Sequence, residues 1–149
     1  MKIYIGADYR GFEKKNMLVK FLRGQGHDVY DQGSYTYNEG DDFIDPAIAV
    51  SKNVLENPGS IGILLCGSGH GVTIQANRFK GIRATRCDST ASAITAREHD
   101  NSNVLCLSAQ TLDDATAQAI VTTFLTTEFE PLERRVNRIK RLDERNDNA

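Results

Sequence analysis

The sequence has few cysteines and no long apolar run. Its three cysteines, Cys66, Cys87 and Cys106, are an odd number at wide spacing, which disfavours a disulfide framework and favours a reducing compartment. No stretch of about 18 apolar residues occurs, and the N-terminus lacks an apolar segment followed by a small-residue cleavage site. We therefore expect a cytoplasmic protein that is neither secreted nor inserted into a membrane.

Charge of one sign and histidine are also scarce. A formal net charge of -2 with mixed signs provides no overall field for binding nucleic acid or an anionic membrane, so any basic site must be local. The three histidines, His27, His70 and His99, show no metal-ligand spacing. A zinc-dependent (β/α)₈ barrel is disfavoured further, because that fold needs about 250 residues. The length predicts a single domain, residues 1–149, with one core.

Short apolar runs rich in β-branched residues alternate with longer segments of helical periodicity. The predicted strands are residues 3–7, 28–30, 61–66, 82–85 and 104–107, and the predicted helices are residues 12–23, 46–55, 72–77, 90–98, 112–126 and 132–145. Most strands are too uniformly apolar for a sheet with one face in water, which predicts an open parallel sheet with helices on both faces. The polar segment 31–45 is predicted to be a lid.

Three polar segments adjoin the predicted strands. Residues 8–11 follow the first strand, residues 66–71 follow the third, and residues 99–103 precede the fifth. In an open parallel sheet, ligands bind at the carboxyl ends of the strands. We therefore expect the topology to bring these three segments together in one site.

The most specific segment is the glycine-rich run at residues 66–71, CGSGHG. Alternating glycines let the chain leave a strand with its backbone N–H groups turned inward, just ahead of a predicted helix, and such a loop favours anions. The same amides and the helix dipole would stabilise a thiolate at Cys66, which makes it a nucleophile or a base. Taken alone, a cysteine at the end of a buried strand is more often a core residue.

Spacing separates three chemical interpretations of this loop. A dinucleotide-binding fingerprint requires G-x-G-x-x-G after the first strand, whereas this loop is G-x-G-x-G after the third. A cysteine phosphatase needs an arginine roughly five residues beyond the cysteine, and this chain has Val72 there. An isomerase needs a base near a carbon acid and amides that stabilise an enediolate oxygen, and the loop provides both.

Four motifs carry a resemblance to a known family: GAD at residues 6–8, GILLCGSG at 62–69, ANR at 76–78 with GIR at 81–83, and His99 followed by NVL at 103–105. With them the chain resembles the type B ribose-5-phosphate isomerases and the related galactose-6-phosphate isomerase subunits. The resemblance implies a three-layer α/β/α sandwich, Rossmann-like (flavodoxin-like), with a mostly parallel five-stranded sheet. It also implies an aldose-ketose isomerase of a sugar phosphate that needs no metal or cofactor, and a homodimer or tetramer with shared active sites.

The resemblance assigns roles to particular residues. Cys66 would move a proton between C2 and C1 of the open-chain sugar, and the loop amides would stabilise the enediolate. His99, helped by Asp8 and the Ser68 hydroxyl, would open the furanose ring. The residues predicted to contact substrate are Tyr9, Gly67, Gly69, His70, Gly71, Asn77, Asp100, Asn103, Arg135 and Arg138. The polar side chains among them have a structural alternative as helix caps, turn residues or interior side chains.

Arginines recur at helical spacing near the C-terminus, at positions 134, 138, 141 and 145, opposite an apolar stripe. The resemblance implies that this helix reaches the partner subunit and that its arginines hold the substrate phosphate, with Arg135 and Arg138 closest in register. A solvated charged face is the alternative for any single arginine.

The chain departs from the family pattern at the phosphate end. Tyr9 replaces a usual histidine, Phe43 replaces the tyrosine of a common Asp-Tyr-Pro, and Gln110 replaces a frequent arginine. A Gly-Gly-Arg-His run is replaced by the shorter PLE at residues 131–133. Ribose 5-phosphate is the expected substrate by family frequency, with galactose 6-phosphate, allose 6-phosphate and a tetrose phosphate as alternatives. A non-catalytic sugar-phosphate-binding subunit is the alternative from another class.

Overall fold

A computed structural model describes residues 1–145, in which five strands alternate with helices. The strands are β1 (Lys2–Ala7), β2 (Asp28–Asp31), β3 (Ile61–Cys66), β4 (Ala84–Arg86) and β5 (Val104–Ser108). The helices are α1 (Phe12–Gly24), α2 (Ile44–Glu56), α3 (His70–Ala76), α4 (Thr90–Asp100), α5 (Asp114–Thr126) and α6 (Glu133–Glu144). None of the helices described up to residue 145 combines the length and the hydropathy that a membrane span requires.

All neighbouring strands pair in parallel, in the order β2-β1-β3-β5-β4. This arrangement confirms the predicted Rossmann-like α/β fold. After β3 the chain forms β4 one place away from β3 in the sheet, and β5 then enters the place between β3 and β4. The central strands β1 and β3 therefore end side by side, and the loops that follow them share one edge of the sheet.

Strand β3 is buried along its whole length, and its side chains alternate between two cores. Ile63 and Leu65 belong to the core that α1, α4 and α5 cover. Leu64 and Cys66 belong to the opposite core, under α2 and α3. Because both faces of the sheet are covered, the strand reads as a continuous apolar run, as expected for a parallel sheet.

Two of the differences from the predicted element boundaries have a local structural cause. Helix α3 begins at His70, because Gly69 adopts the left-handed conformation (φ 81°) and turns the chain straight into the helix. Strand β4 begins at Ala84 rather than at residue 82, because the backbone N–H of Ile82 closes a turn onto Phe79 at 3.1 Å. The other elements agree with the prediction to within two residues at each end.

The predicted lid runs from the end of β2 into the start of α2, and it is anchored at its first residues. The ammonium of Lys15, on α1, lies 2.9 and 2.8 Å from the two carboxylate oxygens of Asp31 and 2.6 Å from the Ser34 carbonyl oxygen. The side chain of Lys15 is completely buried, so this lysine holds the base of the lid against the core.

Helix α6 lies on the surface of the chain. Across its described residues it contributes no buried side chain, and Val136 and Leu142 are 43% and 58% exposed. Its attachments are polar: an Arg83 nitrogen donates to both carboxylate oxygens of Asp143, at 2.9 and 2.8 Å. The apolar stripe predicted for this helix is therefore only partly covered within one chain.

Candidate active site

The carboxyl end of β3 places Cys66 at the floor of a cleft. Its side chain is only 4% exposed, and its Sγ accepts a hydrogen bond from the backbone N–H of Gly69 at 3.2 Å. The Ser68 hydroxyl accepts a hydrogen bond from the His70 N–H at 3.1 Å, which satisfies one free amide at the start of α3. The loop thus directs the Gly69 amide at the sulfur.

Asp8 directly follows β1, the strand adjacent to β3, and begins the turn there. It is 7% exposed, and its Oδ1 accepts hydrogen bonds from the N–H groups of Arg10 at 3.0 Å and Gly11 at 3.1 Å. Burial raises the pKa of this carboxyl, and the nearby carboxylate of Asp41 adds to the increase. Asp8 therefore keeps its proton to a higher pH than an exposed aspartate, as an acid catalyst requires.

Asp41 connects the lid to this site. Its Oδ1 accepts a hydrogen bond from the Tyr9 N–H at 2.9 Å, and its Oδ2 accepts one from the Ser34 hydroxyl. The sequence reasoning predicted a lid but not this contact. The acidic pair at residues 41–42 was the available signal.

These groups face a cavity of about 310 Å³ at the carboxyl edge of the sheet. It is lined by Asp8, Tyr9, Arg10, Asp41, Asp42, Phe43, Cys66, Gly67, Ser68, Gly71 and Gln110. A cavity of about 590 Å³ elsewhere contains Asn77 and Asp100 but neither the thiol nor Asp8. We take the smaller cavity as the candidate active site, because it holds the acid and the sulfur together.

Phe43 covers the cavity from the lid side. Its ring lies so close to Gly71 that a Cβ at position 71 would meet the ring at 2.6 Å. Only glycine at position 71 allows the lid to lie this near the loop without a shift of the aromatic ring.

Arg10 is a site residue that the sequence reasoning missed. Within residues 1–145 it is the one cationic side chain that lines this cavity. Its Nε donates to the Tyr9 hydroxyl at 3.0 Å, and this hydrogen bond raises the pKa of the guanidinium, which remains charged. The side chain lies over Gly67, next to that of Gln110. Its place next to Tyr9 in the polar segment 8–11 was the only sequence signal.

The predicted convergence of three segments is wrong for the third of them. Gly62 pairs with Val104, and the N–H of Gly62 donates to the Asn103 carbonyl at 2.9 Å. Residues 99–103 therefore lie at the amino end of β3, about 13 Å along the strand from Cys66. A segment that precedes a parallel strand lies at the opposite edge from one that follows it. His99 is exposed there, with its Nε2 at 3.6 Å from the Glu98 carboxylate, and Asp100 lines the larger cavity.

Asn77 and Asn103 were predicted to contact the sugar, but both amides bind backbone in this chain. The Asn77 side chain donates to the Ala84 carbonyl at 2.9 Å and accepts from the Ala84 N–H at 2.8 Å. The Asn103 side chain accepts from the Arg83 N–H at 2.8 Å and donates to the Gly81 carbonyl at 2.9 Å. Both residues fix the start of β4, and their contact with the sugar stays a prediction.

The predicted phosphate ligands of α6 also lie outside the cavity. A guanidinium nitrogen of Arg135 lies 3.3 Å from the Glu130 carboxylate and donates to the Glu98 carbonyl at 3.3 Å. Arg138 is exposed on the same helix, and His70 is exposed at the first residue of α3. One chain therefore brings together Cys66, Asp8 and the backbone of the glycine loop. The side chains of Arg135, Arg138 and His70 lie outside this cavity.

The donor set offers no metal centre in the part of the chain that the structure describes. No group of three or more His, Cys, Asp or Glu side chains there is arranged to hold a metal ion. The three cysteines are free and buried.

Comparison with known proteins places this geometry in context. The family model described as Ribose/Galactose Isomerase matches residues 3–142. The ribose-5-phosphate isomerase B of Mycobacterium tuberculosis (strain H37Rv) is 37% identical over 144 residues, which is 97% of this chain and 89% of that protein.

Solved structures agree with the sequence matches. A ribose 5-phosphate isomerase of Thermotoga maritima has a TM-score of 0.92 and 41% identity, with 97% of this chain and 98% of that chain covered. The ribose-5-phosphate isomerase B of Mycoplasma genitalium, solved with bound ribulose-5-phosphate, has a TM-score of 0.91 and 36% identity, with 95% and 93% covered.

Proposed function

This chain belongs to the Ribose/Galactose Isomerase family, and we propose that it interconverts ribose 5-phosphate and ribulose 5-phosphate with Cys66 as the base. It is an aldose-ketose isomerase, as its relatives are. The observation that carries the assignment of the base is the position of the Cys66 sulfur, which accepts the Gly69 N–H beside the buried carboxyl of Asp8. The Mycoplasma genitalium relative, which holds ribulose-5-phosphate, supports the choice of substrate.

The proposed reaction proceeds through an enediolate. The Cys66 thiolate removes the proton from C2 of the open-chain aldose, and the electron pair of that C–H bond forms the C1–C2 double bond while O1 becomes an oxyanion. The amides of residues 67–71 stabilise this oxygen. The thiol then returns a proton to C1, and the proton of the C2 hydroxyl passes to O1 as the ketone forms at C2. Asp8, whose pKa is raised by its burial, supports the opening of the furanose ring beforehand.

Arg10 is the proposed phosphate ligand within the chain. Asp41 and Asp42 line the same cavity and would repel a phosphate dianion. A guanidinium binds phosphate oxygens in a bidentate manner, and that of Arg10 lies beside Gln110, where the family frequently has an arginine. We propose that Arg10 supplies the positive charge that position 110 lacks.

We further propose a homodimer, alone or within a tetramer, in which each active site takes residues from both copies. His99 and Asp100 lie at the opposite edge of the sheet from Cys66 within one chain, so they reach a sugar at Cys66 only from a second copy. The exposed apolar residues Val136 and Leu142 of α6 support such an association. Arg135 and Arg138 remain predicted phosphate ligands from the second copy.

The proposed setting is the cytoplasm, with residues 1–149 acting as one domain. A catalytic thiolate requires a free cysteine, and Cys66, Cys87 and Cys106 are all free. A reducing compartment keeps such thiols unoxidised. Nothing in this reaction requires a metal, because the base, the acid and the oxyanion ligands are all supplied by the chain.

The substrate is tested with aldose phosphates of four, five and six carbons, including erythrose 4-phosphate, galactose 6-phosphate and allose 6-phosphate. We expect kcat/KM for ribose 5-phosphate to exceed that for each other sugar by at least about tenfold, since the cavity discriminates by length and stereochemistry. A higher kcat/KM for a tetrose or hexose phosphate would replace ribose 5-phosphate as the substrate and leave the isomerase chemistry in place.

A further inference from the structure

Arg86 lies behind the glycine loop, outside the active-site cavity. It is the last residue of β4, and its Nε donates to the Ser68 carbonyl oxygen at 2.6 Å. The other end of the guanidinium lies 2.6 Å from the Asp88 carboxylate. The side chain is 22% exposed, so its hydrogen bond to the loop is shielded from most of the solvent.

The same peptide bond contacts Cys66 from its other end. The Ser68 carbonyl and the Gly69 N–H belong to one planar peptide unit, in which the two groups point in opposite directions. The N–H end donates to the Cys66 sulfur at 3.2 Å, while the carbonyl end accepts from Arg86. A cation at the carbonyl end polarises the peptide and strengthens the hydrogen bond made by its N–H.

This peptide needs an external restraint. Gly69 has a φ of 81° and no Cβ, so the backbone around it rotates at little steric cost. A rotation of the Ser68–Gly69 peptide would turn its carbonyl oxygen toward the sulfur and remove the only amide that binds Sγ directly among the described residues. Arg86 blocks this rotation, because the rotation breaks a charged hydrogen bond in a largely buried place.

We propose that Arg86 is a positioning residue that fixes the Ser68–Gly69 peptide with its N–H directed at Cys66 and thereby stabilises the Cys66 thiolate. The importance of this role for turnover rests on the proposed function, since a base at Cys66 must ionise to act. The effect on the thiol itself does not depend on which sugar the protein isomerises.

Other ionisable groups near Cys66 come from three further elements. They are Asp8 and Arg10 after β1, Asp41 and Asp42 in the lid, and Cys106 on β5. Arg86 pairs with Cys106 through the backbone of the sheet. The described hydrogen bonds and ion pair of the Arg86 side chain go to Ser68 and Asp88, so a substitution of this side chain breaks no bond to the other ionisable groups. A change in the ionisation of Cys66 in such a variant then reports on the Ser68–Gly69 peptide.

The test measures the alkylation rate of Cys66 by iodoacetamide as a function of pH, without any sugar. Arg86→Met removes the hydrogen bond but keeps an unbranched side chain, Asp88→Asn is the matched control that retains the Nε donor, and Cys66→Ala gives the background. Burial raises the pKa of Cys106 to about 12 and also raises that of Cys87, so neither competes at neutral pH.

We expect Arg86→Met to react about tenfold more slowly at pH 7, with its rate curve displaced by about one pH unit upward, as for one lost hydrogen bond to a charged group. The maximal rate at high pH should be unchanged, and Asp88→Asn should follow wild type.

An Arg86→Met curve that overlays that of wild type would overturn the proposal, whatever the isomerase assays show. If that variant does not fold, amide hydrogen exchange in the wild-type protein decides. Protection of the Gly69 N–H supports the fixed peptide, and exchange at the rate of an exposed amide overturns it. Because alkylation needs no substrate, a protein that isomerises no sugar but shows the displaced curve would refute the proposed function alone.

Discussion

The Lys15 ammonium and the Asp31 carboxylate form an ion pair at 2.8 Å, in which the lysine side chain is wholly buried and the aspartate is 23% exposed. The pair joins α1 to the first residue of the lid segment. It is surrounded by the rings of Phe12 and Tyr35, which lie 5.3 and 6.0 Å from the ammonium. The base of the lid is thus fixed, although the tip of the lid is exposed.

Replacing Lys15 with methionine should therefore destabilise the fold. The change removes the ammonium that binds the Asp31 carboxylate and the Ser34 carbonyl, and breaking a buried pair typically costs about 3 kcal/mol. Urea unfolding followed by circular dichroism measures the loss. Lys14→Met is the matched control, because Lys14 pairs with the exposed carboxylate of Asp114, and its effect should be small by comparison. Equal losses in the two variants would contradict the structural role of Lys15.

Asp8 should make the stability of the protein fall with rising pH. Burial raises its pKa in the folded state, so the folded protein holds this proton after the unfolded chain has released it. The contribution is fully present below the ordinary aspartate pKa, near pH 4, and is lost as the pH rises through the raised folded value. The free energy of unfolding of wild type should therefore fall relative to that of Asp8→Asn over this window. A difference between the two that is constant from pH 3 to pH 8 would show that the pKa is not raised.

Arg10 should govern the affinity for the phosphate group. Arg10→Met is expected to raise KM for ribose 5-phosphate by about tenfold or more, since a charged hydrogen bond contributes about 1.5–3 kcal/mol. The change in kcat should be smaller, because the phosphate is remote from C1 and C2. Gln110→Arg is the complementary variant and should recover part of the loss when combined with Arg10→Met. An unchanged KM in Arg10→Met would assign the phosphate to the arginines of the second copy.

A shared active site predicts complementation between two inactive variants. Cys66→Ala and His99→Ala each remove one half of every site. When the two proteins are unfolded together and refolded, half of the dimers are mixed, and each mixed dimer has one intact site. The mixture should regain about a quarter of the wild-type activity. No recovery in a sample whose mixed dimers are shown by native mass spectrometry would contradict the shared site.

The sequence predicted the core of the fold well, for a physical reason. Strand β3 is buried on both faces, and such strands read as short, unbroken apolar runs between turn residues. The sequence also located the loop after Cys66, because alternating glycines directly after an apolar strand mark a turn whose backbone needs conformations that glycine adopts readily. The boundary of α3 was missed because a glycine in the left-handed conformation let the helix begin immediately.

The remaining site residues depend on contacts that a single sequence does not display. Arg10 and Arg86 lie far apart in sequence, and only the parallel sheet places both beside the loop at residues 66–71. Asn77 and Asn103 bind backbone in this chain, and an asparagine that does so has the same sequence appearance as one that binds a sugar hydroxyl, so their contact with the sugar stays a prediction. Residues 99–103 were misplaced within the chain because a segment before a strand was treated as if it followed one, whereas the role of His99 stays a prediction for the second copy.

The central claim, that Cys66 moves a proton between C2 and C1, is tested most directly by solvent exchange. Ribose 5-phosphate is incubated in deuterium oxide with wild type or with Cys66→Ala, and the C2 proton is followed by nuclear magnetic resonance. The account predicts that wild type replaces this proton with deuterium as ribulose 5-phosphate forms, and that Cys66→Ala abolishes the exchange while still binding the sugar. Exchange at the wild-type rate in Cys66→Ala would contradict the claim and assign the base to another residue.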